Sequence, residues 1–303
     1  LGGRVKEDEE LLEEVTFLLE YPTALSGRFE EHYLEMPMEL VITPMREHQR
    51  YFPVYDAEGG LLPRFITVRN GDTRFLDIVA EGNEKVLRSR LKDAEFFYRE
   101  DLRDNMQDKV EELSQVVFHE KLGSLRQKVE RVIALSQHIA QRLGYDAVAG
   151  ARCARAALLA KADLGSHVVY EFPELEGIIG EYYALHAGEE REVARAIREH
   201  YQPRYAGDDP PQSKTGVVVA LADKIDSICG FFALGQIPSG SQDPYALRRA
   251  ASGVVNIILR HQLELPLREV ADFAYRLLKR DVPALAAADG ADRIDNFVLF
   301  HQQ

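Results

Sequence analysis

The 303-residue sequence has no tryptophan and only two cysteines, Cys153 and Cys229, far apart and in apolar surroundings. That excludes a disulfide-stapled scaffold and a cysteine metal knuckle, and it fits a reducing, cytoplasmic setting. No apolar run approaches the ~18 residues that a membrane-spanning helix needs, so no membrane role is expected. The first twenty residues are rich in glutamate rather than basic and then apolar, unlike a leader. Positive charge is also in deficit, with 37 Lys and Arg against 50 Asp and Glu and a formal net charge of −13. A surface that attracts polyanions everywhere is thereby excluded, and any such contact must use a local patch. Absent too are a GxxxxGK[ST] phosphate loop, a GxGxxG turn after a strand, HExxH and GxSxG, so self-contained catalysis by these routes is not expected. What is present, 46% apolar and 29% charged residues, is enough to build cores, and the length suits two domains of ~150 residues. Because the chain begins at Leu1, a piece of a longer polypeptide is expected.

Apolar periodicity divides the chain. Residues 7–21 place Leu11, Leu12, Val15, Leu18 and Leu19 on one helical stripe that Pro22 ends. The runs 38–43 (MELVIT), 50–55 (RYFPVY) and 64–69 (RFITVR) read as strands, with turns at AEGG 57–60 and NGD 70–72. From about residue 75 the period becomes 3.6, predicting helices near 78–101, 104–118, 124–143, 147–164, 189–201, 215–231, 244–260, 267–279 and 291–301. The expected class is α+β, with a small α/β unit over 1–105 followed by an all-α unit over 106–303.

Two groups of cations could meet an anion. Arg46, Arg50, Arg64 and Arg69 fall on or beside the predicted strands, where partners such as Glu47 or Asp72 could equally neutralise them. Lys85, Arg88, Arg90 and Lys92 mix with Glu84, Asp93 and Glu95 in a way typical of a salt-bridged helix surface. In DPYALRRAASG, Asp243 suits an N-cap and Pro244 the first helical position. Arg248 and Arg249 then oppose the helix dipole unless an anion offsets them.

In the helical part, ALLAKADLG (157–165), REHY (198–201) and VALADKIDSI (219–228) bring Asp163, His200 and Asp223 from three helices that could converge. Their order resembles the HD superfamily of metal phosphohydrolases. Two positions depart from that pattern: the His-Asp dipeptide is Ala162-Asp163, and Lys128 stands where the first His belongs. Two carboxylates and His200 make a poor transition-metal shell, so no metal is expected. His138, on the same helix as Lys128, reads as an interfacial histidine rather than a replacement ligand.

Several long blocks, among them FEEHYLEMPMELVITPMREHQRYFPVYDAEGGLLPRFITVRNGD, EGNEKVLRSRLKDAEFFYREDL, LLAKADLGSHVVYEFPELEGIIGEYYALHAGE and GQIPSGSQDPYALRRAA, resemble the beta-subunit family of the bacterial-type heterotetrameric glycyl-tRNA synthetases. The resemblance implies a cytoplasmic ATP-dependent ligase of two alpha and two beta subunits, with ATP, Mg and glycine handled by alpha. It implies that this chain holds no cofactor and no catalytic residue and helps to handle tRNA-Gly. It further implies the end of a domain similar to the B3/B4 module of phenylalanyl-tRNA synthetase, then a degenerate HD-like domain with Lys128, Ala162, Asp163, His200 and Asp223 at its pocket. Affinity for tRNA would come from clustered cations. The first candidates are Lys161, Lys224, Arg248 and Arg249 around that pocket with Lys128 beside them, and the second are Arg46, Arg50, Arg64 and Arg69. The alternatives are an active HD-type phosphohydrolase using Asp163, His200 and Asp223, a purely structural subunit, and an editing hydrolase.

Overall fold

A computed structural model describes residues 2–239, 242–282 and 285. The chain divides into two compact units, Leu1–Arg103 with Tyr170–Leu175, and Asp104–Val169 with Glu176–Gln303. The class is α+β.

The first unit is built on a four-stranded antiparallel sheet in the order β1 (Arg4–Val5), β3 (Phe52–Tyr55), β4 (Leu61–Asn70), β2 (Pro22–Arg28). Helix α1 (Glu9–Phe17) starts at Asp8, whose carboxylate accepts from the Leu11 N–H at 3.0 Å. Leu11 and Val15 of α1 pack on Phe52, Ile66 and Val68 of the sheet. β2 runs in register with β4 from Pro22 opposite Asn70 to Arg28 opposite Arg64. Sequence reading missed this strand because it begins with Pro and contains Gly. Both features suit an edge strand, and Gly27 lies where a Cβ would run into the Phe65 ring.

Residues 38–43, expected as a strand, are helix α2 (Met38–Thr43), continued by a π turn over Pro44–His48. A six-residue apolar run fits either period. Burial decides here, since Leu40, Val41 and Met45 are completely enclosed at helical spacing. Helix α3 (Leu76–Asp101) buries Leu87, Leu91 and Ala94 and carries its charges in pairs, Arg88 with Glu30, Arg90 with Glu171 at 3.5 Å and Arg99 with Glu95 at 2.6 Å.

The second unit is helical apart from a hairpin of β5 (Val117–His119) and β6 (Gly123–Ser124). Its described helices are α4 (Met106–Glu112), α5 (Leu125–Arg142), α6 (Ala147–Leu159), the first three residues of α7 (His167–Glu171), α8 (Ile178–His186), α9 (Arg191–Glu199), α10 (Lys214–Ala233), α11 (Leu247–His261) and α12 (Leu267–Asp281). The helix predicted over 104–118 stops at Glu112, α6 gives way to a 3-10 turn at Ala162–Gly165, and α8 was not foreseen. The predicted 291–301 helix lies outside the described residues. α10 is the axis, buried over most of its length and packed on α5, α6, α9, α11 and α12.

Candidate functional site

The expected pocket residues lie around one turn of α10. Lys128 enters from α5, and its ammonium lies 3.2 Å from Asp223 Oδ1 and 3.2 Å from Asp226 Oδ2, and donates to Ser227 Oγ at 2.8 Å. Arg131, one turn along α5 and fully buried, donates to both oxygens of Asp226 at 2.7 and 3.2 Å. Lys161 Nζ lies 3.4 Å from Asp223 Oδ2 and 4.0 Å above the Tyr201 ring. Burial alone would raise the Asp223 carboxyl, but Lys128, Lys161 and Lys224 around it hold it well below the usual carboxylate range. Desolvation works the other way on Lys161 and lowers its ammonium.

Two of the expected pocket groups terminate helices. Asp163 is fully buried, and its Oδ2 accepts from the N–H of Gly177 at 2.6 Å, the residue that starts α8. Burial pushes its carboxyl up to about 6. Lys224 donates to the carbonyls of His200, Tyr201 and Gln202 at 3.2, 3.3 and 2.8 Å, so it closes the carboxyl end of α9, where the dipole favours a cation. Its burial brings its ammonium down to about 8. His200 is fully buried with Nδ1 2.5 Å from the Ile197 carbonyl. That contact makes Nδ1 the protonated nitrogen and leaves Nε2 bare and without a partner. Desolvation, then the Lys161 charge, keep the ring neutral.

A divalent ion does not fit this arrangement. The Lys128 ammonium occupies the Asp223 carboxylate, Asp163 serves α8, and Ala162 offers no donor. Among the described residues no three His, Cys, Asp or Glu side chains come together as a ligand set. The gap that Lys128, Lys161, His200 and Asp223 line has no room for a water molecule.

The candidate cations therefore separate. Lys128, Lys161 and Lys224 are buried and engaged internally, which corrects the expectation that they face an external phosphate. Arg46 is held by Asp8, Glu10 and Glu47, Arg50 by Glu14 at 2.5 Å, and Arg69 donates to the Arg74 carbonyl at 2.9 Å. Arg64 and Arg249 are exposed and Arg248 half-buried, with no ion pair among the described residues. Asp243 does cap α11, accepting from the N–H groups of Leu247 and Arg248 at 2.8 and 2.9 Å. The helix nevertheless starts at Leu247, not at Pro244, because Ala246 takes a left-handed conformation.

Beside the buried cluster opens a cleft of about 290 Å³. Tyr201, Arg204 and Glu176 line it with Asp223, Lys224 and Ser227 of α10, and Tyr245, Ala246, Arg249 and Ala250 complete it. Sequence reasoning missed Arg204, Glu176 and Tyr245. The one available signal was an aromatic residue just before an arginine pair, in DPYALRR.

A family model described as glycyl-tRNA synthetase beta subunit matches residues 1–301. The chain belongs to the glycyl-tRNA synthetase beta-subunit family. Glycine–tRNA ligase beta subunits of Desulfitobacterium hafniense strain Y51 and Bacillus subtilis strain 168 are 51% identical over 298 residues and 53% identical over 266 residues, covering 98% and 88% of this chain. That of Moorella thermoacetica is 53% identical over 274 residues, 90% of the chain. The chain spans 39–43% of the length of these curated relatives. In this stretch of a beta subunit the gap between Lys128, Lys161, His200 and Asp223 is a filled one. No described helix is long and apolar enough to cross a membrane, and both cysteines are free and buried.

Proposed function

We propose that this chain is the tRNA-handling part of a glycine–tRNA ligase beta subunit, working with an alpha subunit in an alpha2beta2 cytoplasmic enzyme. Activation of glycine by ATP and Mg belongs to alpha, and this chain holds neither cofactor. The observation that carries the reading is the separation of cations within a family member. The helical unit has the position expected for a metal ligand filled by Lys128, while Arg249 is exposed on an open cleft and the half-buried Arg248 precedes it on α11, neither with an ion pair among the described residues. A polyanion can be held there although the whole chain carries −13. The acceptor stem of tRNA is an A-form helix and is gripped through phosphates and 2′-hydroxyls, which suits guanidinium groups.

The test is tRNA-Gly binding by the assembled two-subunit enzyme over a salt series. Reversing both charges, Arg248→Glu with Arg249→Glu, is expected to weaken binding at least tenfold and to lower the salt slope by about two. Unchanged affinity with intact alpha association would leave a purely structural subunit as the reading.

A further inference from the structure

The open cleft contains more than a phosphate grip needs. Tyr245 is 41% exposed, yet its ring is fixed from behind, stacked on Phe231 with centroids 3.9 Å apart and planes 19° apart. A rigid, exposed aromatic ring of this kind is a platform on which a further ring can stack. Four residues on, Arg249 lines the same cleft as an exposed cation with no ion pair among the described residues. Arg204 lies 5.1 Å above Tyr201, and its guanidinium donates to the Glu176 carbonyl. Lys224 adds positive charge but no contact, because backbone carbonyls take its donors. Glu176 also lines the cleft and brings a carboxylate to it, whereas the hydroxyl of Tyr201 is buried beneath the wall.

Different ligands would use different parts of this set. A free phosphate or the backbone of a duplex engages the arginines and leaves the Tyr245 ring idle, since paired bases are stacked on each other. A peptide carboxylate likewise needs no ring. An unpaired nucleotide presents a π-face, ribose hydroxyls and a phosphate together, and matches the Tyr245 ring, the Glu176 carboxylate and the Arg249 guanidinium in turn. About 290 Å³ lies near the lower end of small-molecule sites, which leaves room for one nucleotide and none for a helix.

We infer that this cleft takes a single unpaired nucleotide of the bound tRNA, with its base against Tyr245 and its phosphate against Arg249. The inference rests on the tRNA-handling reading and specifies how one RNA residue is held.

Full-length beta assembled with alpha, carrying Tyr245→Ala, Tyr245→Phe or Arg249→Ala, is titrated with tRNA-Gly and, separately, with a blunt RNA duplex that has no unpaired residue. Tyr245→Ala is expected to weaken tRNA binding about tenfold, while Tyr245→Phe keeps the platform and the affinity. Neither should alter binding of the duplex. Arg249→Ala should weaken tRNA binding severalfold and lower the salt slope by about one. Should Tyr245→Ala fail to fold, Arg249→Ala decides, because its side chain is exposed and without an ion pair, and unchanged tRNA affinity in it overturns the inference. Equal losses on tRNA and duplex with Tyr245→Ala also overturn it, as does a harmless Tyr245→Ala when the Arg248 and Arg249 reversal abolishes binding; the tRNA reading then stands. Salt-insensitive or absent tRNA binding by the unaltered enzyme overturns both.

Discussion

The interior of the helical unit and the cleft beside it hold the same chemical groups and use them oppositely. Inside, Lys128, Arg131 and Lys161 surround Asp223 and Asp226, and each charge is satisfied by a neighbour. Outside, Arg249 has no ion pair among the described residues and faces a volume that can admit a ligand. The difference teaches that cations in one neighbourhood are not one binding patch. Desolvation makes an interior ammonium dependent on its carboxylate, whereas an exposed guanidinium remains free to exchange water for phosphate.

Removing the interior partner should produce the largest effect. Asp226→Ala leaves both Arg131 and Lys128 buried with a carboxylate missing, and a loss of about 3–5 kcal/mol is expected in urea denaturation. A loss below 1 kcal/mol would show that water reaches the cluster and would erase the contrast. Next comes Asp163, whose buried carboxyl has its pKa raised to about 6 from the ordinary 3.8. Its neutral form is the one the fold favours. Its contribution to stability is therefore complete below about pH 4 and is lost as the pH rises through about 6. Asp163→Asn keeps an oxygen for the Gly177 N–H and should flatten this dependence. The two proteins would match below pH 4 and differ above pH 6 by up to about 3 kcal/mol in favour of the variant. Parallel pH profiles would refute the assignment.

Lys161→Met distinguishes inside from outside directly. Asp223 keeps Lys128, so stability should change by about 1 kcal/mol or less, and tRNA affinity should stay within about twofold. A large loss of affinity would mean that the ammonium reaches RNA. The smallest effect belongs to the sheet unit, where Arg50→Ala breaks a half-exposed pair with Glu14. Thermal denaturation should register about 0.5 kcal/mol or less, and less again in high salt.

Much of the helical unit was legible because long helices repeat their apolar residues often enough to fix the period. The run from Val217 to Ile228 shows this, and α10 follows it closely. The interior lock was half legible. Asp223, Lys224 and Asp226 interrupt a helix that is otherwise apolar on every side, so they cannot all face solvent, and Lys128 was placed at the pocket. The partner of Arg131 was not foreseen, because it depends on how α5 packs against α10. That Lys161 and Lys224 are engaged inside the fold was not legible for the same reason, since burial is a property of packing and not of spacing. The MELVIT run misled because six residues show too few repeats to separate strand from helix. Arg204 and Tyr245 lie in loops, where no period exists to place them.

Asp223, Lys224, Asp226 and Ser227 sit within a single turn of α10, and they connect in turn to α5, the end of α9 and the open cleft. One residue inserted ahead of that turn would swing all four by about 100°. The salt lock, the cap and the cleft wall would be lost together. Length changes are thus barred from this helix.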